Sequence, residues 1–140
     1  MLGPNGAGKT TTIRMILGQA PISGGRLSVF GTGLPDGRRF VRRRLGVVPQ
    51  LDNPDPDFTV VENLEVCGSY YGMSRAQIRE RLDDLLDFVE LCERAQTHIN
   101  ERSGGMKRRL SIARALVSNP ELLVLDESTT GLDPQVRHLI

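Results

Sequence analysis

The sequence predicts an α/β fold in which a mostly parallel sheet carries an inserted helical lobe. Short apolar runs alternate with helical patterns at both ends of the chain, whereas the middle holds helical patterns only, an order typical of an α/β core with an insertion. We expect the core at residues 1–50 and 100–140 and the helical subdomain at 51–99. The run Leu122–Leu125 is apolar throughout, which is typical of a strand covered on both faces of a parallel sheet.

Local patterns predict the elements of the first half. Apolar residues at helical spacing, followed by Gly18, predict a helix over residues 10–17. Alternation over residues 26–30 predicts a half-exposed strand. Residues 36–44 predict a basic helix, and the β-branched run Leu45–Val48 predicts a short strand.

The second half begins with a loop and continues with helices. Residues 50–57 are rich in Pro and Asp, which favours a loop. Two sequences have the form of a capping box, and each predicts the start of a helix: Thr59-x-x-Glu62 and Ser74-x-x-Gln77. The second of these helices has one apolar face, formed by Ile78, Leu82, Leu85, Leu86 and Val89. Residues 104–117 predict a further helix.

The amino-acid composition argues against several classes of protein function. The 140 residues carry 18 basic and 17 acidic side chains, and this balance argues against a dedicated nucleic-acid binder. We find no run approaching the ~20 apolar residues of a membrane span and no secretory leader, so we expect a chain that neither spans a membrane nor is secreted. Cys67 and Cys92 form no CxxC pair, which leaves a disulfide framework or a zinc site unsupported.

Five arginines form a local basic cluster: Arg38, Arg39, Arg42, Arg43 and Arg44. At helical spacing they spread around the predicted helix rather than forming one stripe, which favours a solvated or acid-paired surface. Contact with nucleic acid or an anionic lipid is the alternative interpretation.

A glycine-rich loop near the start matches the pattern G-x-x-x-x-G-K-[ST] at every fixed position. Its residues are Gly3, Pro4, Asn5, Gly6, Ala7, Gly8, Lys9 and Thr10. In such a loop the backbone N–H groups and the following helix N-terminus surround a phosphate. We expect Lys9 to reach the β- and γ-phosphates, Thr10 to hold Mg²⁺ and Thr11 to donate to the α-phosphate. A plain glycine turn is the alternative, but it needs neither the lysine nor the hydroxyl.

Two carboxylates follow the apolar run near the end of the chain. A buried strand would deliver Asp126 to its carboxyl end, where it can bind Mg²⁺ directly or through water. Glu127 is then placed to polarise a water for attack on the γ-phosphate. A solvated strand end or a salt bridge is the alternative.

A second glycine-rich segment, at the start of a predicted helix, indicates the protein family. Ser103, Gly104 and Gly105 precede the Leu122–Leu125 run, and this arrangement resembles the signature motif of ATP-binding cassette (ABC) ATPases. The resemblance extends along the chain, because Gln50 sits where the family has its Q-loop glutamine and residues 129–134 look like its D-loop. Within the family, several segments look like the ATPase subunits of multidrug, nodulation-factor and polysaccharide exporters: 47–63, 71–74 and 104–116.

The resemblance implies a P-loop NTPase core that binds ATP and Mg²⁺. It implies that Gln50 senses Mg²⁺ and the attacking water, that Ser103 and Gly105 contact the γ-phosphate held by a second subunit, and that Asp133 couples the two sites. The implied partners are a second copy, which makes a homodimer, and an integral membrane permease, with no nucleic acid. The implied location is cytoplasmic, peripheral on the inner face of the cell membrane.

The sequence departs from the family pattern in places. Arg102 precedes Ser103 where relatives have Leu, and Ser128 follows Glu127 where they have Pro; both changes leave the phosphate chemistry intact. We expect a chain truncated at both ends, poorly soluble and nearly inactive by itself. The alternative function is a soluble ABC ATPase of translation or DNA repair. Gln50 and Ser103 lie only 53 residues apart, which leaves no room for the long coiled coil of DNA-repair relatives. A P-loop kinase or GTPase would leave the Ser103 motif without a purpose.

Overall fold

Five α-helices and four strands lie within residues 8–49, 54–99 and 104–125, which the computed structural model describes. In chain order they are α1 Lys9–Leu17, β1 Leu27–Val29, β2 Thr32–Leu34, α2 Arg38–Arg43, β3 Leu45–Val48, α3 Val60–Tyr70, α4 Arg75–Phe88, α5 Gly104–Leu116 and β4 Leu122–Leu125. A 3₁₀ turn, Cys92–Arg94, lies between α4 and α5. Every helix and strand predicted within these described residues is present, with ends that differ from the prediction by at most two residues.

Strand β2 is the element that the sequence patterns missed. It pairs antiparallel with β1, from Leu27 opposite Leu34 to Val29 opposite Thr32. The two residues between the strands, Phe30 and Gly31, have φ values of 53° and 72°. Two successive positive φ values give the hairpin turn that matches strand twist. Gly33 in the middle of β2 removed the alternation by which a strand is recognised.

Strands β3 and β4 pair in parallel although 73 residues separate their ends. Leu45 lies opposite Leu122, and Val48 lies opposite Leu125. Alternate side chains point to opposite faces of the pair. Val47 of β3 faces the same side as Val124 of β4, and both pack against a small buried cluster formed by Leu17 of α1, Val41 of α2 and Leu45 of β3.

The other face of the β3–β4 pair joins the larger core. Val48, Leu123 and Leu125 pack there with apolar residues of α3, α4 and α5. The five apolar positions predicted for α4 are all buried: Ile78, Leu82, Leu85, Leu86 and Val89. One continuous core therefore links these helices to the sheet, while the division into a core and a subdomain at 51–99 stays a prediction.

Gly46 of β3 allows α5 to approach the sheet closely. A side chain there would collide with the carbonyl oxygen of Ala115 and would lie 2.8 Å from Cγ of Pro120 and 3.0 Å from Cδ1 of Leu123. Only glycine therefore fits this crossing. In the part of the chain that the structure describes, no helix is both long and apolar enough to cross a membrane.

Candidate nucleotide-binding site

The N-terminus of helix α1 has the features of an anion-binding site. Gly8 caps it with φ 80°, in the left-handed region, and its carbonyl oxygen accepts from the backbone N–H of Thr12 at 2.9 Å and from the Thr12 hydroxyl at 3.0 Å. Among the described residues no side chain caps this terminus, and its first turn holds no acidic residue. The N–H groups ahead of that first bond are therefore available to an anion, and the helix dipole favours negative charge there.

These features fit a nucleotide phosphate and its Mg²⁺. Gly8 adopts a backbone conformation that favours glycine, and the Thr10 side chain is partly exposed in the first turn of α1. A helix start with free N–H groups and a hydroxyl suits phosphate oxygens and a bound magnesium ion. The backbone of Lys9 begins α1, and the role of its amine stays a prediction.

The parallel pairing places two strand ends at one edge. Val48 and Leu125 close β3 and β4 as an in-register pair. In the sequence Gln50 follows β3 after Pro49, and Asp126 follows β4 directly. Ligands of open α/β sheets bind at the carboxyl ends of such strands. Several predicted site residues lie outside the described residues: Gly3, Pro4, Asn5, Gly6, Ala7, Gln50, Ser103, Asp126, Glu127 and Asp133.

Helix α5 has an open start. Gly104 and Gly105 are exposed, and apart from neighbouring residues of the helix no described atom lies within 4 Å of the place where a side chain would begin on either. The first turn of α5 holds no acidic residue. The described part of this helix start is therefore open, and the role of the signature motif stays a prediction.

A buried amide anchors the loop after Gln50, and the sequence analysis missed it. Asn63 of α3 is 5% exposed. Its Oδ1 accepts from the N–H of Asp55 at 3.0 Å, and its Nδ2 donates to the carbonyl oxygens of Asp55, Phe58 and Thr59 at 3.0, 3.3 and 3.0 Å. Its position on the buried face of a capped helix was the available signal, because a polar residue there needs partners.

Both capping boxes are confirmed. In the first, the Glu62 N–H donates to Oγ1 of Thr59 at 3.2 Å, and the Thr59 N–H donates to Oε2 of Glu62 at 2.7 Å. The hydrogen bond from the Thr59 backbone is the main reason that the pKa of the Glu62 carboxyl lies below its ordinary value. The second box joins Ser74 and Gln77 in the same way. These caps fix where α3 and α4 begin.

The arginine cluster differs from the prediction in one respect. Arg44 is paired with Glu121, as an acid-paired surface requires. The other four do not spread around the helix but line one groove of about 610 Å³ with Asp36, Tyr70, Tyr71 and Gly72. The reason is geometric, because the rows 38/42 and 39/43 are neighbours on α2 and the end of α3 lies opposite them.

The parallel strands, the glycine-led start of α1 and the loop pattern before it define a P-loop NTPase fold. Comparison with known proteins agrees. A family model described as "ABC transporter" matches residues 1–130. A solved structure titled "Structure of ATP binding subunit of ABC transporter" superposes with a TM-score of 0.82 at 35% identity, covering 98% of this chain and 57% of that one. The chain belongs to the ABC transporter family.

Several curated relatives that are similar to this chain carry the name "Nod factor export ATP-binding protein I". Those of Cupriavidus metallidurans and Paraburkholderia xenovorans are 56% and 58% identical over 140 residues, which is 100% of this chain and 46% of each relative. That of Ralstonia nicotianae is 54% identical, with 44% of its length covered. The chain thus spans somewhat less than half the length of these relatives.

Proposed function

We propose that this protein is the ATP-binding and ATP-hydrolysing subunit of an ABC-type exporter. The observation that carries the proposal is the uncapped, glycine-led start of α1 directly after a complete G-x-x-x-x-G-K-[ST] pattern. Membership of the ABC transporter family supports it, and so does the word "export" in the names of relatives more than half identical. Those names favour an exporter over a soluble ATPase of translation or DNA repair.

Each residue of the proposed site has a separate role in ATP hydrolysis. The loop N–H groups and Lys9 hold the phosphates and neutralise charge that develops during transfer. Thr10 and Asp126 hold Mg²⁺, which supplies further positive charge to the phosphate oxygens when it is bound. Glu127 takes the proton of the attacking water, and Gln50 orients that water. The in-register ends of β3 and β4 support a common location for Gln50 and Asp126.

The active unit in this proposal is a homodimer with two composite sites. Ser103 and Gly105 of one copy complete the site on the Lys9 loop of the other, and Asp133 couples the two. The open and exposed start of α5 supports this arrangement. A membrane permease is the second partner, and the subunit works on the cytoplasmic face of the membrane.

Glu127→Gln tests the general base. In the intact protein we expect ATP hydrolysis to fall about 10²- to 10⁴-fold, and a stable dimer to form with MgATP in size-exclusion chromatography. Glu93→Gln, at an exposed glutamate of the 3₁₀ turn, is the matched control and should behave as the wild type. Normal hydrolysis by Glu127→Gln would show that the assignment is wrong.

Mixing two inactive variants tests the composite site. Lys9→Ala removes the predicted phosphate contact but leaves the signature motif. Ser103→Arg disrupts the signature motif but leaves Lys9 in place. A mixed dimer contains one intact site, so the mixture should regain part of the activity that each variant lacks alone. Absence of any recovery, with mixed dimers present, would contradict the two-copy site.

A further inference from the structure

We propose that Glu90 is a positioning residue for the predicted signature motif. Glu90 follows α4, and its Oε2 forms an ion pair at 2.8 Å with Nη1 of Arg109 in the second turn of α5. This ion pair sets the direction in which α5 presents Gly104 and Gly105 to a second copy. The proposal rests on the proposed function, in which the signature motif of one copy completes the ATP site of the other.

The backbone of Glu90 adopts a conformation that favours glycine. Its φ is 55°, in the left-handed region, which is costly for an L side chain and free for glycine. The Glu90 N–H donates to the carbonyl oxygen of Asp87 at 3.0 Å, and the Leu91 N–H donates to that of Leu86 at 2.8 Å. These two bonds form the Schellman motif that ends many helices, and glycine is the usual residue at its left-handed position. The helix would therefore end equally well without a side chain at position 90.

Both neighbours of Glu90 hold it in this conformation. Val89 and Leu91 are 4% and 3% exposed, and both belong to the core cluster that includes Leu110 of α5. Strained residues persist where their surroundings over-determine them, and such residues concentrate at functional sites. The feature that distinguishes Glu90 from glycine is its carboxylate, and the contact that this carboxylate makes is the ion pair with Arg109.

Arg109 lies on the same face of α5 as Gly105. Residues four positions apart are neighbours on a helix surface, so the guanidinium group belongs to the turn that follows Gly105. The side chains of Arg109 and Glu90 are 27% and 56% exposed. An ion pair this exposed adds little to stability, but a charge-assisted hydrogen bond has a defined length and direction. We therefore expect the ion pair to affect the orientation of α5 rather than folding.

Three substitutions at position 90 of the intact protein test the inference. Glu90→Gly removes the ion pair and relieves the backbone, so the urea midpoint should equal or exceed that of the wild type while ATP hydrolysis falls about threefold to tenfold. Glu90→Asn also suits the left-handed region, but it is one carbon shorter and should lower hydrolysis similarly. Glu90→Gln keeps the length and an acceptor oxygen, so it should stay within about twofold of the wild type.

Two controls separate orientation from other effects. Asn119 is also exposed and has a φ of 53°, so Asn119→Gly makes the same kind of backbone change without removing the Glu90 carboxylate and should hydrolyse ATP as the wild type does. Binding of ATP to a single copy, measured on protein too dilute to dimerise, should be equal in all the variants because the Lys9 loop is unchanged.

The mixed dimer of the Lys9→Ala and Ser103→Arg copies shows through which motif Glu90 acts. Its one intact site takes the signature motif from the Lys9→Ala copy. Glu90→Gly added to that copy should lower the activity of the mixture by the same factor as in the uniform dimer. Glu90→Gly added to the Ser103→Arg copy should leave the activity unchanged. A role in stability alone predicts the same activity whichever copy carries the substitution.

The outcomes distinguish this inference from the proposed function. An active wild type together with an equally active Glu90→Gly would overturn the inference and leave the proposed function in place. Equal losses from Glu90→Gly in either copy of the mixed dimer would also overturn it, as would a loss in Glu90→Gln as large as that in Glu90→Gly. A wild type without ATPase activity would contradict the proposed function, and the inference with it.

Discussion

The guanidinium group of Arg44 forms a two-point ion pair with the carboxylate of Glu121. The same guanidinium lies 4.2 Å from the ring centroid of Phe30 and 4.8 Å from that of Phe40. Arg44 directly precedes β3 and Glu121 directly precedes β4, and the Glu121 N–H donates to the Arg44 carbonyl oxygen at 2.9 Å. The pair therefore stands where the parallel pairing of β3 and β4 begins.

Glu121→Gln should destabilise the protein at neutral pH and not in acid. The hydrogen bond from Arg44 holds the pKa of Glu121 below its ordinary value of 4.5. A carboxyl whose pKa is lower in the folded state stabilises the fold above the unfolded pKa, and this contribution is lost as the pH falls through the folded pKa. The difference in free energy of unfolding between wild type and variant should therefore shrink below about pH 4.5. Urea unfolding at a series of pH values measures it, and a constant difference would contradict the pair's role.

Asn63→Ala should lower the free energy of unfolding by about 1–3 kcal/mol, because it removes the hydrogen bonds of the buried amide and leaves backbone groups of the preceding loop without partners. The groups left without a partner among the described residues are the N–H of Asp55 and the carbonyl oxygen of Phe58. Urea unfolding of the intact protein checks the value. Gln19→Ala truncates an exposed amide and serves as the control. A loss no larger than that of the control would show that the loop is held by other contacts.

Thr59→Ala should cost about 0.5–2 kcal/mol through loss of the helix cap. Thr59→Ser keeps the hydroxyl that accepts from the Glu62 N–H and should retain most of the stability. Thermal unfolding of the two variants side by side makes the comparison. Equal destabilisation by both would point to the Thr59 methyl group rather than to the cap.

Gly46→Ala should cost about 1–3 kcal/mol, since it forces a methyl group into a close crossing. The collision is with the backbone of Ala115 and with Pro120, so α5 has to move away from β3. Gly24→Ala is the control, because no described atom lies within 4 Å of the added carbon. Denaturation midpoints measured for both variants test this, and a neutral Gly46→Ala would mean that α5 can shift freely.

The sequence predicted local structure well because its signals are local. Gly18 ends α1 in the left-handed conformation, and each capping box begins a helix at the predicted residue. Apolar periodicity identified the buried face of α4 without reference to any partner. The phosphate loop was likewise predicted from residue types at fixed spacing.

Relationships between distant residues could not be predicted in this way. The pairing of β3 with β4 and the ion pair of Arg44 with Glu121, 77 positions apart, leave no periodic trace in either segment. The position of Arg38, Arg39, Arg42 and Arg43 along one groove depends on where the end of α3 lies. The sequence does not distinguish Asn63 from an exposed polar residue of a helix, because its burial and its hydrogen-bond partners depend on how the preceding loop packs.

By itself, then, the sequence determined the family and, among the described residues, the position and type of nearly every helix and strand; it also predicted a phosphate-binding loop. Only the tertiary structure decided which strands pair, which charges meet, and which surface is concave. The physical reason is that propensity, capping and periodicity act over a few residues, whereas strand register and side-chain partners depend on how the whole chain packs.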